Sequence, residues 1–183
     1  RKAREMTDKQ LLTQMTEMKQ KPSAAVEPHK KGSKSGIIVK GIDDVAVRFS
    51  KCCNPVPGDE IVGFITRGRG VSIHRTDCVN MSEIERQRLI DAEWQDSTAE
   101  GKGGLYKAEL NVYVHDGVGV LIQIAQVFSE RDINVTAMSS RSGKNNTATI
   151  NISFDINGKY ALNKIIDKLR SLDCVYDIAR TTG

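Results

Sequence analysis

Between residues 107 and 114 apolar and polar positions alternate without a break, Ala108, Leu110, Val112 and Val114 against Lys107, Glu109, Asn111 and Tyr113. A period of two puts one set on each side of the chain, so this is a strand with one buried face. Val118, Leu121, Ile122, Ala125 and Phe128 then recur at three and four, which predicts an amphipathic helix with that stripe inward. Ile133, Val135 and Ala137 predict a second strand and Ser142 to Asn146 a hairpin loop. Ala148, Ile150, Ile152, Phe154 and Ile156 alternate with Thr147, Thr149, Asn151, Ser153 and Asp155 in a third strand. Asn157-Gly158 turns the chain into a helix carrying Leu162, Ile165, Ile166 and Leu169, and Cys174 to Ala179 closes as a fourth strand. The order βαββαβ is the ferredoxin-like arrangement, with helices on one side of an antiparallel sheet and the other side open.

Upstream, from Ile37 to Trp94, the runs are shorter and broken by turn residues. Val45 to Phe49, Ile61 to Ile65 and Val71 to His74 read as strands, separated by Asn-Pro-Val-Pro-Gly and Thr-Arg-Gly-Arg-Gly. Thr76 or Asp77 caps a short helix through Ile84, and Arg88 to Trp94 returns as a last strand. So small a β-rich module buries too little surface to stand alone and requires a metal, a neighbour or a large partner. Before it, Thr7 and Gln10 fit a capping box ahead of Leu11, Met15 and Met18, and Pro22 to Gly36 has the composition of a linker. The fold class is therefore α+β. The divisions are the end of a helical region plus basic linker (1–40), the β-rich module (41–94), a polar joint (95–104) and the βαββαβ domain (105–183).

The formal charge of +4 is unevenly spread. Residues 1–40 hold ten Lys/Arg against four Asp/Glu, a charge of +6 that leaves −2 for the rest. A solvated basic tail accounts for this better than a dedicated nucleic-acid surface. No apolar run approaches a membrane span, and the sequence opens on Arg1, which reads as a piece of a larger soluble protein. Four cysteines, two of them adjacent, do not make a disulfide framework and suit a reducing cytoplasm.

Cys52, Cys53, His74 and Cys78 form a Cys₃His set on paper. Adjacent side chains of an extended chain point to opposite faces, so the set closes on zinc only if the Cys52-Cys53 peptide lies in a tight turn; otherwise these are packed thiols beside a hydrogen-bonded histidine. A complete set leaves no open position for water, so any zinc is structural, and a zinc hydrolase with Glu60 as base is disfavoured. Arg67 and Arg69, interleaved with Gly68 and Gly70 at a hairpin tip, are natural phosphate contacts, with Arg75 flanking them and Lys51 and Arg48 near in sequence. Residues 41–78 balance five bases against five acids, so such contacts would be local.

The run FSKCCNPVPGDEIVGFITRGRGVSIHRTDC, followed by the βαββαβ unit, resembles the C-terminal region of the long RelA/SpoT-type (p)ppGpp synthetase/hydrolases. These proteins carry a cysteine module, called zinc-finger or ribosome-intersubunit domain, and then an ACT (RRM-like) domain. The resemblance spans Gly41 to Gly183. It implies a non-catalytic regulatory tail of a GTP pyrophosphokinase, docking on large-subunit ribosomal RNA near the A site, sensing deacylated tRNA and controlling the parent's own N-terminal catalytic domains. The hydrolase's His-Asp metal motif and the synthetase's basic nucleotide pocket are not found in residues 1–183.

A second function class rests on the last domain. Asp116, Gly117, Val118 and Gly119 occupy the turn into its first helix, where ACT domains bind a small amino acid, usually between the two copies of a homodimer. The plain alternative is an N-cap, with Asp116 accepting from helix amides. The open sheet face offers Tyr113, Thr149, Asn151 and Ser153. One tyrosine is no stacking platform, so single-stranded RNA readout is not expected.

Overall fold

The computed structural model describes residues 36–42, 44–81, 86–95 and 103–181, all within one compact unit. The expected capping box at Thr7, its apolar stripe, most of the Pro22–Gly36 linker and the stretch 96–102 lie outside the described residues.

Two sheets are present among the described residues. The first runs in the order β1-β5-β3-β4-β2, with β1 Ile37–Val39, β2 Val47–Phe49, β3 Ile61–Thr66, β4 Gly70–Arg75 and β5 Leu89–Trp94. All its pairs are antiparallel except β2 with β4. β1 pairs with β5 before residue 41, where the linker was expected to run: Ile37 and Val39 are buried, and this alternation binds the segment to the sheet. The expected helix through Ile84 is a single 3₁₀ turn, Val79–Met81, as far as the described residues go.

The second sheet is antiparallel in the order β7-β8-β6-β9, built from β6 Tyr106–His115, β7 Val135–Ser142, β8 Thr147–Ile156 and β9 Val175–Arg180. Helices α1 (Val120–Ser129) and α2 (Lys159–Arg170) cover one side. Alternate residues of β6 and β8 are buried as the pattern requires, and Leu110 faces Ile152 across the ladder. In α2, Leu162, Ile165 and Leu169 point inward as read from the sequence. The α1 stripe requires correction. Its buried residues are Val120, Ile124, Val127 and Phe128, while Val118, Leu121, Ile122 and Ala125 are exposed. The helix begins at Val120, so a count started at Val118 was rotated off the true inner face.

The two modules share apolar surface. Val56, from the loop between β2 and β3, is fully buried within the core of the second module, a contact worth roughly 1.5–3 kcal/mol. Phe49 stacks on Trp94 at 5.7 Å, and Tyr106 meets both edge-on. The small β module thus has a packing neighbour in the domain that follows it.

Gly70 has φ +82, and a Cβ there would lie 2.1 Å from the Ala46 carbonyl oxygen, which accepts the Val71 amide at 2.8 Å. Gly70→Ala is expected to lower stability by roughly 3 kcal/mol, from left-handed backbone and backbone clash together. Gly68, at φ +71 with nothing within 4 Å, should cost only about 1 kcal/mol as Ala. Urea midpoints of the two variants check this; equal shifts would show that β2 does not pack as described.

Candidate functional site

Residues 51–53 form a turn in which the Asn54 amide donates to the Ser50 carbonyl at 3.0 Å, with Asn54 at φ 42. That turn meets the condition that the adjacent cysteines impose, since both thiols now face one side. Ser50 follows β2, His74 lies on β4, and Cys78 follows it after the Thr76-Asp77 bend. Cys52 Sγ is 3.4 Å from His74 Nδ1 and 3.5 Å from Cys78 Sγ, and Cys53 Sγ is 3.9 Å from Nδ1. All four candidate ligand atoms lie within 4.8 Å of one another. A tetrahedron with zinc–sulfur bonds of ~2.3 Å and a zinc–nitrogen bond of ~2.0 Å has edges of about 3.5–3.8 Å, so the residues present fit that ion.

The surroundings suit ligation. His74 Nε2 lies 3.4 Å from Ser72 Oγ, which is 2.6 Å from Ser50 Oγ, so Nε2 can carry the proton while Nδ1 turns its lone pair to the sulfurs. The Arg75 amide donates to Cys53 Sγ at 3.3 Å. Burial pushes the Cys53 thiol up to about 12, raises Cys78, and holds His74 below its ordinary 6.5. Without a cation to balance them these thiols stay protonated.

Arg75 corrects the sequence reading. It is 6% exposed, its guanidinium forks onto Asp77, and Nη1 reaches the Cys53 carbonyl. The bond from Arg75 also holds the Asp77 carboxyl below the usual range. Its pairing with Ile61 puts it at the opposite end of the β3–β4 hairpin from the glycine turn, roughly 16 Å away at ~3.3 Å per residue. Arg67, Gly68 and Arg69 are exposed at the tip. Arg48 is exposed on β2 opposite Ser72, toward the tip, whereas exposed Lys51 belongs to the cysteine end.

At the second candidate site Asp116 does not cap the helix. Gly119 stands at the cap with no side-chain bond, while the Asp116 carboxylate accepts from Ser142 Oγ at 2.9 Å and its amide donates to Asn146 O at 2.7 Å. A cavity of about 270 Å³ opens there, lined by Asp116, Gly117, Gly119, Leu121, Ser140 and Ile150 among others. Val118 points away, fully exposed. On the sheet's open side Tyr113 is joined by Tyr176 at 6.3 Å, and Tyr176 by His115 at 5.2 Å. Three rings thus stand where one tyrosine was expected, because β9 returns beside β6. Sequence reasoning also missed the pair Asp59–Arg180, which no local spacing signals.

Residues 37–95 match the RelA/SpoT RIS domain and residues 102–180 an ACT domain. A GTP pyrophosphokinase of Streptomyces coelicolor is 34% identical over 150 residues, covering 81% of this chain and 17% of the relative. One of Escherichia coli K12 is 33% identical over 171 residues, covering 91% and 22%. The ACT domain from the GTP pyrophosphokinase of Chlorobium tepidum, solved in solution, is 24% identical with a TM-score of 0.39, over 43% of this chain and 89% of that one. The chain thus matches a RelA/SpoT RIS domain and an ACT domain, in that order, and is similar to GTP pyrophosphokinases across both. It spans about a fifth of the length of the curated relatives it matches.

Proposed function

We propose that this chain is the regulatory part of a stringent-response (p)ppGpp synthetase/hydrolase. It docks through its RIS domain on ribosomal RNA near the A site and reports deacylated tRNA to the catalytic domains of its parent, in the cytoplasm. The observation that carries this reading is the match to the RIS domain together with the exposed Arg67-Gly68-Arg69 tip at the free end of its hairpin. Guanidinium groups on a glycine-flexed turn can each engage a phosphate. Arg48, toward the same end, extends the surface; Arg75 has no place in it. We further infer that Cys52, Cys53, His74 and Cys78 hold a structural zinc, which supplies a fixed cross-link between the turn and β4.

Co-sedimentation with ribosomes tests docking. Arg67→Ala with Arg69→Ala should leave the thermal transition within about 0.5 kcal/mol of the parent. It should weaken ribosome association and flatten its salt dependence by about one phosphate contact per arginine. Equal binding at matched ionic strength would place the contact elsewhere, most simply in the lysines between Lys30 and Lys40.

The cavity beside Asp116, Gly117 and Gly119 favours a second reading, an ACT domain that senses a small amino acid and dimerises. Its readout is ligand-linked stabilisation rather than ribosome association.

A further inference from the structure

The turn that gathers the thiols runs on directly into the seat of the ACT domain. Only Asn54 and Pro55 separate Cys53, in the ligand cluster, from Val56, in the ACT core. Between them, the Asn54 carbonyl accepts from Arg180 Nη2 at 3.3 Å. Arg180 ends β9, and its guanidinium forks onto Asp59, at 2.7 Å to Oδ1 and 2.9 Å to Oδ2. Asp59 Oδ2 also accepts the Val56 amide at 2.9 Å. The Pro57 carbonyl takes the Lys159 amide at the start of α2, at 2.8 Å, and the Asp59 carbonyl takes Trp94 Nε1 at 3.0 Å. Pro55 and Pro57 fix their own φ angles. From Asn54 to Asp59 the chain therefore has little freedom left once ACT is seated, and the two cysteines are the next residues along.

We propose that Arg180, acting through Asp59 and Asn54, is a positioning residue for the metal-binding turn, so that metal binding and ACT docking form one coupled equilibrium. The inference rests on the metal reading above. The Asp59 side chain is 4% exposed, and a buried carboxylate deprived of its partner is an uncompensated charge that its surroundings no longer hold in place. The Val56 amide is then released, and the constraint on Cys52 and Cys53 with it. By linkage, whatever the seated ACT domain adds to metal affinity, the metal adds to the seating of ACT.

The test is titration of the full chain with cobalt(II) alone against a competing chelator, read from the ligand-field bands of a thiolate-bound tetrahedral ion. Arg180→Gln should weaken cobalt binding about tenfold or more, the range found when outer partners of metal ligands are removed. Arg180→Lys keeps the charge but not the fork, and should fall between; it decides the matter if Arg180→Gln does not fold. Ile124→Ala removes core packing from α1, takes no part in the hydrogen bonds from Arg180 to Asp59 and Asn54, and should bind as the parent does. Parental affinity in both Arg180 variants would overturn the proposal. So would an equal loss in Ile124→Ala, which would reduce the effect to general destabilisation. A parent sequence that shows no cobalt bands would overturn the metal reading and this inference together, whereas bands indifferent to Arg180 would remove only the inference.

Discussion

Purified protein is expected to hold about one zinc per chain, and stripping it with a chelator should unfold the RIS domain. The reason is the small size of its core. Among the described residues the cluster around β1, β4 and β5 has five buried apolar residues, against eighteen in the ACT cluster. So small a core leaves little surplus over chain entropy. Structural zinc contributes about 10–16 kcal/mol of apparent binding energy in small zinc-finger peptides, energy that becomes folding energy where no site exists in the unfolded chain. The measurement is metal content by atomic absorption together with thermal unfolding before and after chelation. Metal-free protein with an unchanged transition would show that Cys52, Cys53 and Cys78 are packed thiols, with Ser72 holding His74.

Ile152→Ala should destabilise the ACT domain by roughly 2–5 kcal/mol, the range for removing most of a buried aliphatic side chain from a core that cannot close up. Ile152 is fully buried in β8, facing Leu110 on one side and Met138 on the other. Its neighbour Asn151 is on the opposite face, where Nδ2 donates to Glu109 Oε1 at 2.6 Å and Asn111 Oδ1 at 2.9 Å. At about 1 kcal/mol net for each of these half-buried bonds, Asn151→Ala should cost roughly 1–2 kcal/mol, less than the loss at Ile152. Chemical denaturation of both variants fixes the register, because a one-residue slip exchanges the two faces. Equal losses would contradict the pairing.

The ACT domain was legible because β6 and β8 alternate over their whole length, and in α2 the polar residues leave a single apolar stripe. In α1 the sequence Val-Leu-Ile-Gln-Ile-Ala-Gln-Val-Phe offers apolar residues on several faces, so spacing alone could not select the inner one. The ligand set could be listed from the sequence, but its closure could not. That depends on one backbone turn, Ser50 to Asn54, whose φ no side-chain pattern reports. Arg75 was misplaced because nearness in sequence to Arg67 and Arg69 says nothing about which end of a hairpin a residue occupies. Asp59 and Arg180 escaped notice for a related reason: a pair 121 residues apart leaves no local trace.

That separation has a bearing on how the chain acquires its structure during synthesis. Chains emerge from the amino end and domains organise as they emerge. The RIS strands are therefore available while Arg180 is still unmade, with Asp59 lacking its guanidinium and Val56 lacking the core that encloses it. Contacts between residues far apart in sequence also form late, since the long intervening loop must close first. The cysteine turn is thus completed by residues translated near the end of the ACT domain, and an early-formed RIS domain waits on β9 for its final brace.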